Sequence, residues 1–506
     1  MLKPKYIEQL PENLIELYSQ LEQDILADMA RRLSTYDYYI PAAQWQRDKL
    51  IELGNFEEWI IKALASRTGM TQEEIKALME EAGMKALKFD DGIYKAAGLN
   101  VPPISASPAL LDVINTGIRK TNGMFENLTN TTAGTATKQL ENALDRAYMQ
   151  IVSGAFDKET SVRNAIKDLA RHGVGAITYP TGKMDSLETA VRRAVVTGVN
   201  QTALKLQEAR AEQMGSDLVE TTAHAGARPS HAEWQGKVFS LSGKSKKYPD
   251  FKSSTGYGTG AGLGGWNCRH SFYPYFEGSP RAYTDNELKG YNSKNVEYNG
   301  QKMTEYEASL HQRSIERNIR RWKREKKAME AAGLPTEEAS AKIKSWQERE
   351  KDFLKQTGFK KQAGRSQVGN YGKSDAQKTN WENRKSIDKY KEIRYNKDGS
   401  IIVTDDRTNE ERPSILPVYK PNAVVDTTSR RGAQFDRTIY GENGWIKQQI
   451  HWGDHGNAKR HPYGENGEHV HDFTWIPNEK KPEKIVRELT EDEYIAHKNL
   501  DRRGNK

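Results

Sequence analysis

The first 215 residues repeat apolar side chains at helical spacing. Between Leu10 and Leu33 a leucine, isoleucine or methionine recurs every three or four residues, which places one apolar stripe on an amphipathic helix. Asp185-Ser-Leu-Glu188 has the order of a helix N-terminus, and the helix predicted from it ends before Gly215. Further helices are predicted over 42–53, 56–66, 109–127, 135–153 and 160–172, and from Thr71, where Glu74 would complete a capping box. The sequence therefore predicts a helical N-terminal region, 1–215, which contains no cofactor motif and is typical of a docking or scaffold region.

The periodicity changes after Asp217. Apolar and polar residues then alternate over 218–223, 237–241 and 270–276, as they do in β-strands. These three strands predict a small α/β module over 216–285, and a basic helical segment is predicted over 286–363. Together with the helical front region, they predict an α+β fold.

Residues 224–276 concentrate the reactive side chains. They contain Cys268, the only cysteine, and three of the eleven histidines, His224, His231 and His270, around six glycines between Gly256 and Gly265. Two interpretations are open. One is a functional site. The other is a structural knot in which glycines supply turns around a core that would consist of Trp234, Phe239, Trp266, Phe272 and Tyr273.

The chemistry of this window admits several alternatives. His224, His231, Cys268 and His270 carry the side chains that zinc prefers, but their spacing differs from that of zinc knuckles and favours packed or hydrogen-bonded residues. A nucleophilic Cys268–His270 pair would need a third, orienting group. The glycine loop lacks the Gly-Lys-Ser/Thr ending of a phosphate-binding loop. The metal question stays open, and no cofactor is implied.

The string Gly265-Trp266-Asn267-Cys268-Arg269-His270 is the most specific motif of the chain. With the preceding histidine turn and glycine loop, it resembles the phage minor capsid protein 2 family. That family is related to the head-morphogenesis proteins of Mu-like phages, whose signature also ends in Asn-Cys-Arg. The resemblance covers about the first 365 residues. It implies a minor protein of the virion that lies near the portal, contacts other capsid proteins and handles packaged DNA. We expect no enzymatic activity from 1–363, and we interpret the six signature residues as a fold lock rather than a catalytic centre.

A strongly basic helix is predicted from Thr304 to Ala332. Five arginines share one broad face of it by three- and four-residue spacing: Arg313, Arg317, Arg320, Arg321 and Arg324. The net charge of +8 and the pI of about 9.0 also favour polyanions. This face is predicted to bind DNA without sequence specificity, in a salt-dependent manner. The alternative is a helix whose arginines pair with acidic residues or contact another protein.

A flexible, charged linker is predicted over 364–380, followed by a β-rich domain over 381–506. The domain contains two predicted hairpins, one turning at Asp398-Gly399 and one joining 434–440 to 445–452. Five histidines fall within twenty-one residues of it, from His451 to His471. His455, His461, His469 and His471 are the catalytic candidates, because His469 and His471 share one face of a strand and the other two flank a turn.

The histidines of this domain allow three interpretations. They suit acid–base work on RNA, or a metal centre completed by Asp454 or Asp472. Alternatively, they stack on Trp445, Trp452 and Trp475 in a purely structural module. The pattern Asp-His-Gly, His-Pro and His-x-His is loosely similar to the C-terminal modules of bacterial polymorphic toxins. That similarity implies a rival function, in which residues 1–365 deliver a nuclease-like toxin.

The cellular setting follows from composition. One cysteine excludes an internal disulfide and fits synthesis in a reducing bacterial host cytoplasm. No segment approaches the roughly 18 consecutive apolar residues of a membrane helix, so no membrane partner is expected. The mean hydropathy of −0.85 indicates that part of the chain is elongated helix or solvated linker. We therefore expect a soluble protein of several domains that ends up in the virion.

Overall fold

A computed structural model describes residues 2–178, 184–410, 413–428, 434–475 and 482–501. The chain divides into two compact units, Met1–Thr379 and Asn380–Lys506. The division falls one residue before the start predicted for the C-terminal domain. The predicted boundaries inside the first unit, after residues 215, 285 and 363, stay predictions.

The first unit is mainly helical. Its helices are α1 (Pro4–Gln9), α2 (Glu12–Thr35), α3 (Ala42–Ala96), α4 (Pro108–Val152), α5 (Lys158–His172), α6 (Leu187–Gln213), α7 (Pro229–Ala232), α8 (Phe251–Thr255), α9 (Asp285–Tyr291), α10 (Glu305–Ala331), α11 (Glu337–Thr357), α12 (Ala363–Ser366) and α13 (Lys373–Lys389), the last of which runs past Thr379. One large core joins α2, α3, α4, α5 and α6.

Among the described residues of this unit, three small antiparallel sheets complete the fold. They pair β1 (Gly175–Thr178) with β2 (Met184–Ser186), β3 (Leu218–Thr221) with both β4 (Val238–Ser240) and β5 (Phe272–Pro274), and β6 (Val296–Tyr298) with β7 (Gln301–Met303). The middle sheet, in the order β4-β3-β5, contains the three strands predicted after Asp217 and confirms them.

The helix breaks predicted within 42–96 and 109–153 are wrong. Residues Ala42–Ala96 and Pro108–Val152 form two uninterrupted helices of 55 and 45 residues. Thr71 does not cap a helix, since its hydroxyl donates to the Arg67 carbonyl at 2.8 Å within α3. A glycine in a helix costs only about 1 kcal/mol relative to alanine. The free energy gained by burying one face of α3 against α4 and α6 therefore outweighs the cost of placing Gly54 and Gly69 inside the helix.

Two other helices have the ends that the sequence predicts. Ser186 caps α6 by accepting a hydrogen bond from the Thr189 amide, and Gly215 follows the helix with φ +64. The helix predicted from Thr304 to Ala332 is confirmed as α10, with Thr304 and Glu307 forming a capping box at its start.

The segment predicted as a flexible linker, 364–380, is packed against α2. The Gly369 amide donates to the Ser19 hydroxyl at 2.9 Å, and the Asn370 side chain donates to Asp24 at 2.9 Å. A Cβ on Gly369 would lie 2.3 Å from the Gln20 nitrogen. The glycine that indicated flexibility in the sequence instead permits two backbones to approach closely.

The small α/β module has the expected aromatic core with two exceptions, Trp266 and Tyr273, of which Tyr273 is buried but packs on Phe89 of α3. Trp234, Phe239 and Phe272 are buried together with Phe251 and Leu263. The side chain of Trp266, which the sequence placed in this core, is 60% exposed. Its ring covers Gly260, where a Cβ would come within 2.7 Å of the ring. The ring therefore lies over the glycine loop and not in the core.

The second unit is built on one six-stranded sheet. Its order is β13 (Glu483–Glu488), β12 (His469–Thr474), β11 (Ile446–His451), β10 (Phe435–Tyr440), β9 (Val424–Thr428) and β8 (Asp405–Asp406). All neighbours are antiparallel except β8 and β9. Helix α14 (Glu491–His497) follows β13. The second predicted hairpin is confirmed as β10–β11, whereas the turn at Asp398-Gly399 is flanked only by an isolated bridge between Tyr395 and Ile401.

The predicted α+β fold is confirmed by these two units. Within the described ranges, no helix is both long enough and apolar enough to cross a membrane.

Candidate functional site

Three potential metal ligands of the signature module converge in a buried pocket. The Cys268 Sγ lies 3.8 Å from the His231 Nδ1 and 3.7 Å from the His270 Nδ1, and these two nitrogens are 3.4 Å apart. His231 is on α7, whereas Cys268 and His270 follow the glycine loop and precede β5. All three residues are buried. The fold thus brings together three of the four residues that the sequence considered as zinc ligands.

The other ring nitrogen of each histidine is engaged outside the pocket. The His231 Nε2 contacts the Ala261 carbonyl at 2.8 Å, and the His270 Nε2 contacts the Gln235 Oε1 at 3.1 Å. The same Gln235 oxygen accepts from the His224 amide at 3.1 Å, which fixes the orientation of the side-chain amide. Because both partners are acceptors, each Nε2 carries the proton, and both Nδ1 lone pairs point into the pocket.

Burial keeps this cluster uncharged. Desolvation lowers the pKa of His231 and brings that of His270 well below its usual value, while it raises the pKa of the Cys268 thiol. Desolvation, with the Arg269 charge, lowers the pKa of the neighbouring His224 to about 4. Neutral imidazoles are the form of histidine that coordinates metals.

The glycine loop positions the Ala261 carbonyl. A Cβ on Gly262 would lie 2.1 Å from the Gly256 oxygen, and one on Gly265 would lie 2.3 Å from the Gly260 oxygen. The loop therefore folds onto its own backbone in a way that only glycine allows. Its role in this geometry is to hold a hydrogen-bond acceptor against His231.

The signature arginine belongs to a second cluster, centred on Glu8 of α1. The Glu8 carboxylate accepts hydrogen bonds from Arg269 at 3.2 Å, Arg313 at 2.6 Å and Arg365 at 2.6 Å. Desolvation opposes its ionisation, but the charges of Arg365, Arg269 and Arg313 outweigh burial and lower the pKa of Glu8. This carboxylate joins four segments that are far apart in the sequence. Nothing local in the sequence singled it out.

The five arginines of the predicted DNA-binding face have different surroundings. Arg313 pairs with Glu8, Arg320 with Glu188, and Arg324 with both Glu22 and the Ala170 carbonyl. The Arg321 guanidinium lies over the Trp322 ring, 4.8 Å from its centroid. The side chain of Arg317 is exposed. Three of the five are thus paired with carboxylates inside the first unit.

The histidines of the second unit form one cluster on the sheet. Strand register places Asp436, His451 and His469 side by side on β10, β11 and β12. His455 and His461 fold over this row, with ring centroids 5.2 and 4.4 Å from that of His469. The four candidates of the sequence are therefore brought together with His451.

This cluster contains a hydrogen-bonded chain. The Asp436 carboxylate lies 3.0 Å from the His451 Nδ1, and the His451 Nε2 lies 3.2 Å from the His471 Nδ1. Desolvation lowers the pKa of His469 to about 4 and that of His471 to about 3. Asp436 was missed in the sequence, because only the register of β10 and β11 places it beside His451.

The other residues considered as partners of these histidines have contacts of their own. Asp472 accepts from Arg487 at 2.6 Å, and Asp454 accepts from the Gly456 amide at 2.7 Å. Trp445 packs on Trp475, and Trp452 packs on Tyr494. Single nitrogens of His451, His455 and His469 lie within 4.8 Å of one another, which is close enough to hold a metal ion.

Comparison with known proteins decides the family of the chain. Residues 2–355 match the model of the family described as phage minor capsid protein 2. The chain belongs to this family. The resemblance drawn from the Trp-Asn-Cys-Arg-His string is thereby confirmed, and the match contains both the buried Cys/His pocket and the arginines of α10.

Two curated relatives agree with this membership. A structural protein of Lactococcus phage LL-H is 27% identical over 322 residues, which are 58% of this chain and 84% of the relative. A structural protein of Lactococcus phage mv4 is 35% identical over 127 residues, which are 24% of this chain and 94% of the relative. No solved structure matches. The chain is therefore a structural phage protein, a component of the virion that associates with other virion components.

Proposed function

We propose that this minor capsid protein lies beside the portal and docks there through one end of the α3–α4 pair. Helices of 55 and 45 residues span about 80 and 70 Å at 1.5 Å per residue. Rods of this length suit a protein that bridges neighbouring components of a particle. Family membership supports the virion, and the surface of this helix pair supports the docking site.

The observation that carries the proposal is a set of exposed apolar side chains where the start of α3 meets the end of α4. Lys49 and Asp145 form an ion pair of 2.7 Å there, and the rings of Trp45 and Tyr148 stack at 4.1 Å. Four apolar side chains at this end are each more than half exposed: Leu50, Ile51, Met149 and Val152. Exposed apolar groups clustered on one surface mark protein interaction sites.

Docking is tested by pull-down of the portal protein of the same phage with the full chain. Leu50→Glu/Ile51→Glu is expected to weaken binding at least about tenfold, since a loss of about 1.4 kcal/mol suffices. Leu310→Glu is the matched control, because Leu310 is an exposed leucine on α10. Equal binding by the wild type and the double variant would contradict the docking site, and absence of binding by the wild type would contradict the portal partner.

DNA contact through the arginine face of α10 stays a prediction. A phosphate would have to compete with Glu8, Glu188 and Glu22 for Arg313, Arg320 and Arg324. Those ion pairs favour the alternative in which the arginines hold the unit together.

A second candidate function concerns residues 380–506, which lie beyond the family match. The Asp436–His451–His471 chain favours acid–base chemistry, because a carboxylate that orients a histidine is a recurring arrangement in general-base catalysis. Such a module would act on nucleic acid as the nuclease-like cargo of a structural carrier.

This candidate is tested with the full chain, RNA and DNA substrates, and a chelator. Cleavage is expected to fall about 10²-fold or more in His451→Ala, as for loss of a general base. His172→Ala is the control, since this exposed histidine lies in the first unit. Substrates left intact by the wild type, with and without added divalent metals, would reject the nuclease function.

A further inference from the structure

We propose that His231, Cys268 and His270 form a zinc site inside the signature module. The proposal does not depend on portal docking or on nuclease activity. It assigns a ligand to the most specific motif of the chain, which the structural role of the protein leaves unexplained.

The distances within the pocket are those of three corners of a zinc tetrahedron. Zinc–sulfur and zinc–nitrogen bonds of about 2.3 and 2.0–2.1 Å place tetrahedral ligands about 3.6 Å apart for sulfur and nitrogen and about 3.3 Å apart for two nitrogens. The pocket has sulfur–nitrogen distances of 3.7 and 3.8 Å and a nitrogen–nitrogen distance of 3.4 Å. The ligands therefore need to move by only a few tenths of an ångström.

The positions of the protons on the rings of His231 and His270 also favour binding of a cation. The Ala261 carbonyl and the Gln235 oxygen hold the protons of His231 and His270 on the outer nitrogens, so two lone pairs face each other at 3.4 Å. The Cys268 thiol has one proton and can satisfy only one of them. Outer hydrogen bonds of this kind orient metal-binding histidines in proteins.

Binding of the metal releases one proton. The thiol of Cys268 releases its proton to solvent and binds as thiolate, and the two neutral imidazoles each donate a lone pair. His224 lies beside this set, but it is not among the residues whose ligand atoms all lie within 4.8 Å of one another. Its ring stacks on His270 at 4.4 Å, and its Nε2 is buried with no hydrogen-bond partner among the described residues.

Burial of all three ligands indicates a structural metal rather than a catalytic one. Such an ion would tie α7 to the segment before β5 and explain why the glycine loop must present Ala261 to His231. A bound zinc ion would be the chemical basis of the fold lock expected from the sequence.

The test uses the purified full chain loaded with Co²⁺ in place of zinc. Because Cys268 is the only cysteine, a sulfur-to-cobalt charge-transfer band reports on this site alone. We expect one cobalt–thiolate centre per chain in the wild type, which added zinc displaces. Cys268→Ser is expected to abolish the band and His231→Gln to weaken cobalt binding. His451→Gln/His469→Gln, which alters the other histidine cluster, is expected to leave the band unchanged.

The wild type alone can overturn the proposal, so the folding of the variants does not decide it. A folded wild-type chain without a thiolate band at saturating Co²⁺ refutes the site. Loss of the band in a His451→Gln/His469→Gln variant that is shown to be folded would also refute it.

Discussion

Replacement of Glu8 by glutamine is expected to lower the free energy of unfolding of the first unit by about 3 kcal/mol. The change removes the negative charge shared by Arg269, Arg313 and Arg365, and leaves three partly buried guanidinium groups without it. Loss of one partner from a buried ion pair typically costs about 3–5 kcal/mol. Denaturant unfolding measures the effect. Glu16→Gln, at an exposed position of α2, is the control and should change stability by less than about 0.5 kcal/mol.

We also expect the stability difference between the wild type and Glu8→Gln to depend on pH. The pKa of Glu8 is lowered in the folded state, so its contribution is fully present above its ordinary pKa of about 4.5. The contribution is lost as the pH falls through the folded-state pKa. The difference in stability between wild type and Glu8→Gln should therefore be constant near neutral pH and shrink in acid. A difference that stays the same down to the acid transition would contradict the assigned role of the carboxylate.

Replacement of Gly369 by alanine is expected to destabilise the first unit by about 2–3 kcal/mol, the upper range for overpacking. The new Cβ would lie 2.3–2.5 Å from backbone atoms of Ser19 and Gln20, and neither backbone can move without disturbing α2. Gly364→Ala is the matched control in the same segment, because nothing lies within 4 Å of its Cβ position.

Thermal unfolding and limited proteolysis measure this effect. Gly369→Ala should expose new cleavage sites within 364–380 at a temperature where Gly364→Ala remains resistant. Equal protease sensitivity of the two variants would mean that this segment is not held against α2 in solution.

Local features were predictable from the sequence, and long-range ones were not. The cap at Ser186, the start of α10 at Thr304 and the hairpin β10–β11 depend on residues a few positions apart, and each was found. The breaks predicted near Gly54 and Gly69 failed because core burial decides helix continuity in α3. Tertiary packing is not visible in the local signals of a single sequence.

The candidate sites follow the same rule. The residue types of the Cys/His pocket were recognised, but their spacing, which differs from that of zinc knuckles, counted against zinc. The contacts of Ala261 and Gln235 with the two rings cannot be read from spacing. The tail histidines were grouped correctly, since four of them lie on one strand or its adjoining turns. The acidic partners of the arginines were not predicted, because Glu8 lies 305 residues from Arg313 in the sequence.

The cluster of Glu8 with Arg269, Arg313 and Arg365 affects the order in which the first unit can fold during translation. Ribosomes release the N-terminus first, at about 5–20 residues per second, so α1 emerges long before its last guanidinium partner. Arg365 follows Glu8 by 357 residues. The nascent chain must therefore carry an incompletely neutralised N-terminal helix until translation of this unit is almost finished. The cluster around Glu8 can close only after Arg365 has been synthesised.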